Sequence, residues 1–243
     1  MRFSRLIRVA PIVGGVPALL LALAACGGKD ARGAGETADS ASSALASDSA
    51  NAPAAPLQVT PDARVELADR ARIMGDSSAR VWVMIVSDFQ CPYCKTWHDS
   101  TGPKLRKEFV ETGIARLAYI HYPLGQHQGA MPAAEASMCA GAQGKFWEFH
   151  DRLFATQKEW EVMTAPATAF ERYAKELGLD MAAYGQCIGD QLMAPMIHAD
   201  QEKSQAAGAR STPTFIVGSQ SFSGAQPIET FRAAIAQALA DAK

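Results

Sequence analysis

Two cysteines separated by two residues, Cys91 and Cys94, form the motif whose residue types and spacing best suit chemistry. Pro92 suits the first position of a helix, so Cys91 should stand at a helix N-terminus, where unpaired N–H groups and the helix dipole favour a thiolate. Cys94 should follow one turn later on the same face, close enough for a disulfide to close with little movement. The motif predicts thiol–disulfide exchange, with Cys91 as the exposed attacking sulfur and Cys94 as the buried resolving sulfur.

The same motif could also be half of a zinc site or an inert structural disulfide. A zinc site requires two further ligands at suitable spacing. His98 is the only candidate near the motif, and the distant Cys139 and Cys187 each lack a second ligand beside them. The histidines show no metal-ligand spacing among themselves. We interpret all of them as packing or surface residues: His98, His121, His127, His150 and His198. Redox chemistry is therefore favoured, and neither a metal nor another cofactor is expected.

A strand should precede Cys91 and place this residue at the start of the helix that follows. The apolar, β-branched run at 81–86 directly precedes the motif and is typical of a strand buried on both faces of a sheet. The residues from Lys95 to Glu111 predict a helix, which Gly113 closes, and those at 114–122 predict a second strand. A strand, a helix and a strand in this order imply a parallel pair.

The second half of the chain predicts helices first and strands afterwards. The pattern from about 129 to 208 is mostly helical, and two strands at 214–217 and 220–223 then form a hairpin through Gly218 and Ser219. Pro227 opens a last helix with its apolar residues on one face. The expected fold class is α/β: a thioredoxin fold, with a central mixed sheet flanked by helices, that carries an inserted helical subdomain.

The composition excludes several other classes of protein. The 243 residues are 48% hydrophobic and 20% charged with a net charge of −2, which argues against collagen, coiled coils, full disorder and multi-pass membrane proteins. The sequence contains no basic patch of the kind that phosphate contacts require. Nucleic acid is therefore not expected as a partner.

The first 26 residues have the pattern of an export signal. Three arginines precede an apolar run at 9–25, which is near the lower length limit for a membrane span and is interrupted by two prolines. The run ends in Leu23-Ala24-Ala25-Cys26, which resembles the lipobox of bacterial lipoproteins. The resemblance implies a signal peptide at 1–26 and lipidation of Cys26. In such lipoproteins an aspartate after the cysteine favours retention in the inner membrane. Gly27 stands there instead, which implies anchoring at the periplasmic face of the outer membrane.

Residues 27–60 are rich in alanine, serine and glycine and contain no aromatic residue. Such a segment cannot bury enough apolar surface to offset its ordering entropy, so we expect a disordered tether. Removal of the three signal arginines changes the formal charge from −2 to −5, which gives no electrostatic reason for membrane contact beyond the lipid anchor. The folded domain is expected at 61–243, with the helical insertion at about 129–208.

At 65–242 the sequence resembles the DsbA-like branch of the thioredoxin superfamily. Four segments carry the resemblance: Asp88–Cys94, Tyr122-Pro123-Leu124 with His127, Cys139–His150 and Ser211–Phe215. The resemblance implies a cis-proline loop at Thr212 and Pro213 beside the redox pair, where an extended substrate segment can bind through its main chain. It also implies that the substrates are exported proteins with cysteine thiols and that a separate redox partner recharges the pair.

Two departures from the family pattern bear on the chemistry. Tyr93 stands where the strongest oxidant of the family has histidine, whose charge would stabilise the thiolate, so we expect a milder oxidant. Ile85 stands where many relatives bury a carboxylate that handles protons for the second cysteine. Asp88 could replace that carboxylate, but capping or loop geometry is the favoured interpretation of this residue.

Cys139 and Cys187 both fall in the predicted insertion, and a structural disulfide in an oxidising compartment is the simplest explanation for them. A second redox relay is the alternative. Taken together, the sequence predicts a lipid-anchored, extracytoplasmic thiol–disulfide oxidoreductase that acts through Cys91 and Cys94. It does not fix whether the protein works as an oxidase, a reductase or an isomerase, and a non-catalytic thioredoxin-fold binding protein is the other hypothesis.

Overall fold

The computed structural model describes residues 61–242. The predicted signal peptide, Cys26 and the predicted tether lie outside the described residues. The strands are β1 (Ile73–Met74), β2 (Val81–Ser87), β3 (Ala115–His121), β4 (Thr214–Val217) and β5 (Gln220–Ser223). The helices are α1 (Pro61–Ala71), α2 (Pro92–Ser100), α3 (Gly102–Leu105), α4 (Ala130–Gly141), α5 (Phe146–Ala155), α6 (Gln157–Trp160), α7 (Ala167–Glu176), α8 (Met181–Gly189), α9 (Ala194–Ala206) and α10 (Ile228–Asp241).

The five strands form one mixed sheet in the order β1-β3-β2-β4-β5. Strand β2 is central, parallel to β3 and antiparallel to β4, and Val83 pairs with Leu117 on one side and Val217 on the other. The β-branched side chains at Val81, Val83 and Ile85 are almost completely buried, as expected for an inner strand. The fold is therefore the predicted thioredoxin fold. The loop after β2 lies in the middle of the sheet edge at which β2 and β3 end and β4 begins.

The predicted single helix after the cysteines is interrupted. Helix α2 ends at Ser100, α3 begins at Gly102, and a π-helical turn at Arg106–Val110 follows. Pro103 explains the break, because it has no N–H to continue the helical hydrogen bonds. The Thr101 hydroxyl at the break donates to the Gln226 carbonyl at 2.9 Å, which ties the interruption to the segment before α10.

Helices α4 to α9 form the inserted helical subdomain between β3 and β4. Its core is aromatic and almost completely buried, with the largest side chains at Phe146, Phe149, Phe154, Trp160, Phe170 and Tyr173. A disulfide joins Cys139 in α4 to Cys187 in α8, with Cα atoms 5.8 Å apart. This bond and the aromatic core hold the insertion together. None of the helices in residues 61–242 is long and apolar enough to cross a membrane.

Candidate active site

Cys91 lies at the N-cap position of α2, where the backbone is extended, and Pro92 occupies the first turn. The chain reaches this point through a tight turn after β2, in which the Cys91 amide donates to the Asp88 carbonyl at 3.1 Å. The strand fixes the start of the turn and the proline favours helical geometry after it. Cys91 therefore stands at the free amide end of α2, where a negative charge on its sulfur is favoured.

Asp88 organises the loop that precedes Cys91. One carboxylate oxygen accepts from the Gln90 amide at 2.7 Å, and the other accepts from the Leu124 amide at 2.9 Å and contacts His127 Nδ1 at 2.7 Å. Burial raises the pKa of Asp88 above its ordinary value, and these hydrogen bonds oppose that rise. The contacts agree with the loop-geometry interpretation of Asp88. They also give His127 a role that the packing-or-surface interpretation missed.

The helical insertion holds the same loop from the other side. Gln157 is buried, and its amide nitrogen donates to the carbonyls of Phe89 at 2.6 Å and Cys91 at 3.1 Å. Lys95, one residue after the second cysteine, donates to the Phe154 carbonyl at 2.8 Å. Loop carbonyls that face the insertion thus have hydrogen-bond partners on it. The position of Cys91 depends on the insertion as well as on the sheet.

The Cys91 thiol has a pKa lowered to about 6. The hydrogen bond from the Cys94 thiol is the largest cause, burial opposes it, and the Thr212 side chain and the amides of Tyr93 and Cys94 also favour the thiolate. Among the described residues no group lies within hydrogen-bond geometry of the buried Thr212 hydroxyl, so it is free to donate to a charged Cys91 sulfur. At neutral pH the Cys91 sulfur is therefore mostly a thiolate, the form that attacks disulfides and leaves from them.

Both active-site cysteines are buried, Cys91 at 4% and Cys94 at 2% exposure, so the prediction of an exposed Cys91 is wrong because the loops around it cover the residue. The pKa of Cys94 is shifted in the opposite direction to that of Cys91. Burial raises the pKa of Cys94 well above the ordinary value, with further contributions from the hydrogen bond and charge of Cys91. The Ser87 hydroxyl and the Asp88 amide act against this rise. Ile85, at the position of the family carboxylate, is buried in an apolar cluster with Trp97 and Phe215. Ser87 is thus the side-chain hydroxyl that the structure supplies to the Cys94 sulfur.

The peptide bond between Thr212 and Pro213 is cis. The Thr212 carbonyl lies 3.4 Å from Cys91 Sγ, so this loop is in contact with the reactive sulfur. Strand β4 begins directly afterwards, and Val86 at the end of β2 pairs with Thr214 at its start. The sheet therefore brings together three of the predicted site elements: Cys91, Cys94 and the Thr212–Pro213 loop. Cys139 and Cys187 are bonded to each other within the insertion.

A cluster of charged and histidine side chains was not apparent from the sequence. His98 in α2 and His150 in α5 both contact Asp151 Oδ1, at 3.1 and 2.7 Å. The three potential metal-ligand atoms lie within 4.8 Å of one another. However, both oxygens of Asp151 already accept from the Arg106 guanidinium at 2.9 Å, which places a positive charge where a cation would bind. The two histidines lie far apart in the sequence, so spacing could not reveal the cluster.

Comparisons with known proteins agree with the fold. The family model described as Thioredoxin matches residues 68–237. A Na(+)/H(+) antiporter NhaA 3 from Salinispora tropica is 35% identical over 176 residues, covering 72% of this chain and 26% of that protein. Disulfide bond formation protein D from Bacillus subtilis (strain 168) is 24% identical over 151 residues, covering 60% of this chain and 66% of that protein.

The crystal structure of α-DsbA1 from Wolbachia pipientis has a TM-score of 0.63 at 22% sequence identity and covers 70% of this chain and 92% of its own. The chain spans about a quarter of the length of the antiporter relatives it matches, so their name describes much longer proteins. The matched family model covers the sheet, the cysteine pair and most of α10. The chain belongs to the thioredoxin family and has the fold of its DsbA-type members.

Proposed function

We propose that this protein is a thiol–disulfide oxidoreductase that exchanges disulfides with exported proteins through Cys91 and Cys94. The observation that carries the proposal is the opposite tuning of the two sulfurs, with the pKa of Cys91 lowered to about 6 and that of buried Cys94 raised well above its ordinary value. Perturbed, coupled groups of this kind are typical of reactive sites. The similarity to disulfide bond formation protein D supports the same chemistry.

In the oxidising direction, a substrate thiolate attacks the Cys91 sulfur of the Cys91–Cys94 disulfide. A bond forms between the two sulfurs, the Cys91–Cys94 bond breaks, and its electron pair leaves on Cys94. Because the pKa of Cys94 is raised, this sulfur takes up a proton. The neighbouring Ser87 hydroxyl stabilises the charge until the proton arrives. Thr212 and Pro213 hold the extended substrate segment beside the reacting sulfur.

A second substrate thiolate then attacks the substrate sulfur of the mixed disulfide. The new substrate disulfide forms, and the electron pair of the broken bond leaves on Cys91. The lowered pKa makes Cys91 a good leaving group, because its thiolate is stable at neutral pH. Attack by Cys94 on Cys91 instead returns the substrate to its reduced form. A separate redox partner must afterwards remove two electrons from the Cys91–Cys94 dithiol.

The stable Cys91 thiolate favours the oxidising direction. Stabilising the thiolate stabilises the reduced pair, which makes the disulfide a stronger oxidant than a pair with ordinary pKa values. The pKa of about 6 lies between the values of about 7 for thioredoxin and about 3.5 for DsbA. We therefore propose an oxidant of intermediate strength.

The proposal also includes the location of the protein. The signal peptide directs export, Cys26 is lipidated, and the lipid anchors the protein at the periplasmic face of the outer membrane. The Cys139–Cys187 bond is the structural disulfide of the folded domain.

Covalent trapping tests the proposed function. In a Cys94→Ser variant, incubation with an envelope extract should yield mixed disulfides through Cys91, because no internal thiol can release the partner. A matched Cys91→Ser variant should trap far less, because the raised pKa of Cys94 keeps its sulfur protonated and unreactive. Absence of any covalent partner would favour a binding protein over an enzyme. Acid quenching, alkylation and mass mapping provide a second readout: a Cys91–Cys94 disulfide that resists mild reductant would contradict exchange.

A further inference from the structure

A groove of about 350 Å³ opens beside Gln90, the residue that precedes Cys91. One wall is the loop at 126–129, which follows β3, and the other is the loop at 161–166, which follows α6. Neither loop belongs to the cysteine motif or to the cis-proline loop. The groove therefore adds a surface next to the reactive sulfur that the proposed exchange chemistry does not use.

Hydrogen bonds and packing fix the distance between the two walls. The Gln90 side chain accepts from the Gly129 amide at 2.7 Å and donates to the Glu161 carbonyl at 3.4 Å, so it bridges both walls. Trp160 forms the floor, is completely buried, and donates to the Leu153 carbonyl at 2.8 Å. A Cβ atom on Gly129 would lie 3.0 Å from the Trp160 ring, so a side chain at this position would press against the ring. The groove is thus formed before any ligand arrives.

The lining suits a polypeptide main chain. Gln126 and Gln128 supply amide groups that both donate and accept hydrogen bonds, as peptide groups require, whereas the Gln90 amide already bridges the walls. Val162 is 79% exposed on the rim and offers an apolar contact for a passing side chain. Among the described residues that line the groove, Glu161 alone carries a charge. An acidic residue entering the groove would therefore meet a like charge, and the lining residues that the structure describes include no cation to offset it.

The sheet places this groove and the cis-proline loop on opposite sides of Cys91. Strand β2 lies between β3 and β4, and β3 runs parallel to it, so the loop after β3 emerges at the same edge as Cys91. Strand β4 runs antiparallel to β2, so the Thr212–Pro213 loop that precedes β4 lies at this edge on the other side. A chain that crosses Cys91 from the cis-proline loop is thereby directed towards the groove.

Two other cavities lack this relationship. A larger one lies at the start of β2, lined by Arg80, Val81 and Trp82, and so at the opposite end of the strand from Cys91. Another lies within the insertion, between α4, α7 and α8. Neither is lined by a residue of the cysteine motif or its flanking loop.

We propose that the groove binds the segment of a substrate polypeptide on one flank of its reacting cysteine, and that Glu161 selects against acidic residues in that segment. This proposal rests on the proposed oxidoreductase function and extends it to substrate choice. The substrate segment on the other side of that cysteine contacts the Thr212–Pro213 loop. Unfolded exported chains with uncharged or basic residues on the groove flank would be the preferred substrates.

The test uses the full chain in its oxidised form and unstructured peptides that contain one reduced cysteine. Each peptide carries one Asp, or Asn as its uncharged reference, at one of several positions on either side of the cysteine. The second-order rate of mixed-disulfide formation is measured by acid quenching and alkylation. We expect Asp on one flank to slow the reaction about two- to fivefold relative to Asn, the range of an exposed charge pair, and Glu161→Gln to abolish the difference.

Glu159→Gln provides the matched control, because Glu159 is exposed on α6 and does not line the groove. This variant should keep the full Asp penalty. Dithiothreitol, which has no flanking residues, should react equally with all three proteins and so report an unchanged cysteine pair. Equal Asp penalties on both flanks, or a penalty that survives Glu161→Gln, would overturn the groove proposal alone. No reaction with any peptide or with dithiothreitol would contradict the proposed function itself, and the groove proposal with it.

Discussion

At the scale of single residues, the two active-site sulfurs divide the work through burial and hydrogen bonding. Cys94 donates to Cys91 and stabilises its thiolate, whereas burial keeps Cys94 itself protonated. Cys91 is therefore a thiolate, which can attack a disulfide and leave from one, and Cys94 takes up a proton when it becomes the leaving group. The hydrogen bond between them is the largest contribution to the low pKa of Cys91, which makes Cys94 more than a resolving thiol.

Replacing Cys94 should separate these two roles. Cys94→Ala removes the donor, so the pKa of Cys91 should rise from about 6 towards the ordinary thiol value, whereas Cys94→Ser keeps a hydroxyl donor and should change it less. The pH dependence of iodoacetamide alkylation measures this pKa, because the thiolate reacts. A Cys91 pKa that stays near 6 in Cys94→Ala would show that the thiol of Cys94 does not tune Cys91.

Tyr93 should limit the oxidising strength of the proposed redox pair, because its side chain carries no charge. It is 65% exposed and lies between the cysteines, where a histidine would add positive charge near the thiolate. The native pair should have a reduction potential between about −270 and about −120 mV, the values of thioredoxin and DsbA. Tyr93→His should raise it by about 30 mV, and Tyr93→Phe should leave it unchanged. Glutathione equilibration would measure all three, and a value outside this range in the native protein would contradict an intermediate oxidant.

His150 should make the folded state sensitive to acid. Burial lowers its pKa to about 4, although contact with Asp151 opposes this, and Arg106 and His98 on the packed elements disfavour its charge. The unfolded histidine titrates near pH 6.5, so the unfolded state binds more protons and stability falls as the pH decreases from about 6.5 to about 4. The expected loss from this residue is about 3 kcal/mol.

Chemical denaturation at several pH values would test the role of His150. His150→Asn keeps a polar group near Asp151 but does not titrate, so its stability should depend less on pH in this window. The exposed His198 provides the control, and His198→Asn should keep the native pH dependence. An unchanged slope in His150→Asn would assign the acid sensitivity to other groups, including His121, whose pKa burial also lowers.

The sequence was informative about residues whose partners lie close along the chain. The position of Cys91 at the helix start followed from Pro92, because the local geometry of a proline is fixed. Gln157, by contrast, contacts Phe89 and Cys91 across 68 and 66 positions, and nothing in its neighbourhood indicates a buried amide. Contacts between distant helices depend on packing angles that residue spacing does not encode.

At the scale of elements, the strands were easier to predict than the helix that carries the cysteines. The run at 81–86 is continuously apolar and flanked by polar residues, so its type and ends were well defined, and β2 ends at Ser87. The helical pattern at 95–111 continues through Gly102 and Pro103, although the backbone is interrupted there. Apolar periodicity survives such a break because α3 and the π-helical turn still face the core at Leu105 and Val110.

The disulfide between α4 and α8 should stabilise the insertion without tuning the active site. It closes a loop of 48 positions, and chain-entropy arguments give a contribution of up to about 4 kcal/mol. Replacing Cys139 and Cys187 together with alanine should lower the free energy of unfolding by about 2–4 kcal/mol, as measured by urea denaturation. The pKa of Cys91 should remain near 6. A changed alkylation profile would instead support the relay hypothesis.

At the scale of the whole molecule, the proposed lipid at Cys26 determines where the folded domain works. The predicted tether has 34 positions, for which a random coil reaches roughly 30–35 Å. Cys26→Ser should release the exported protein from the membrane fraction while leaving the reduction potential of the Cys91–Cys94 pair unchanged. Fractionation of the cell envelope, with mass analysis of the N-terminus, would test this. Continued membrane association of the unlipidated variant would contradict an anchor made of lipid alone.

The Cys139–Cys187 bond also implies a redox stoichiometry for each molecule. A newly made chain carries four thiols within residues 61–242, so it must lose four electrons to reach its fully oxidised form. In the proposed function, two of these electrons leave when the insertion closes its disulfide, and the other two are exchanged with substrates. Under this proposal the protein is a substrate of an oxidising system before it becomes part of one, and a cell that lacks that system would make a less stable protein.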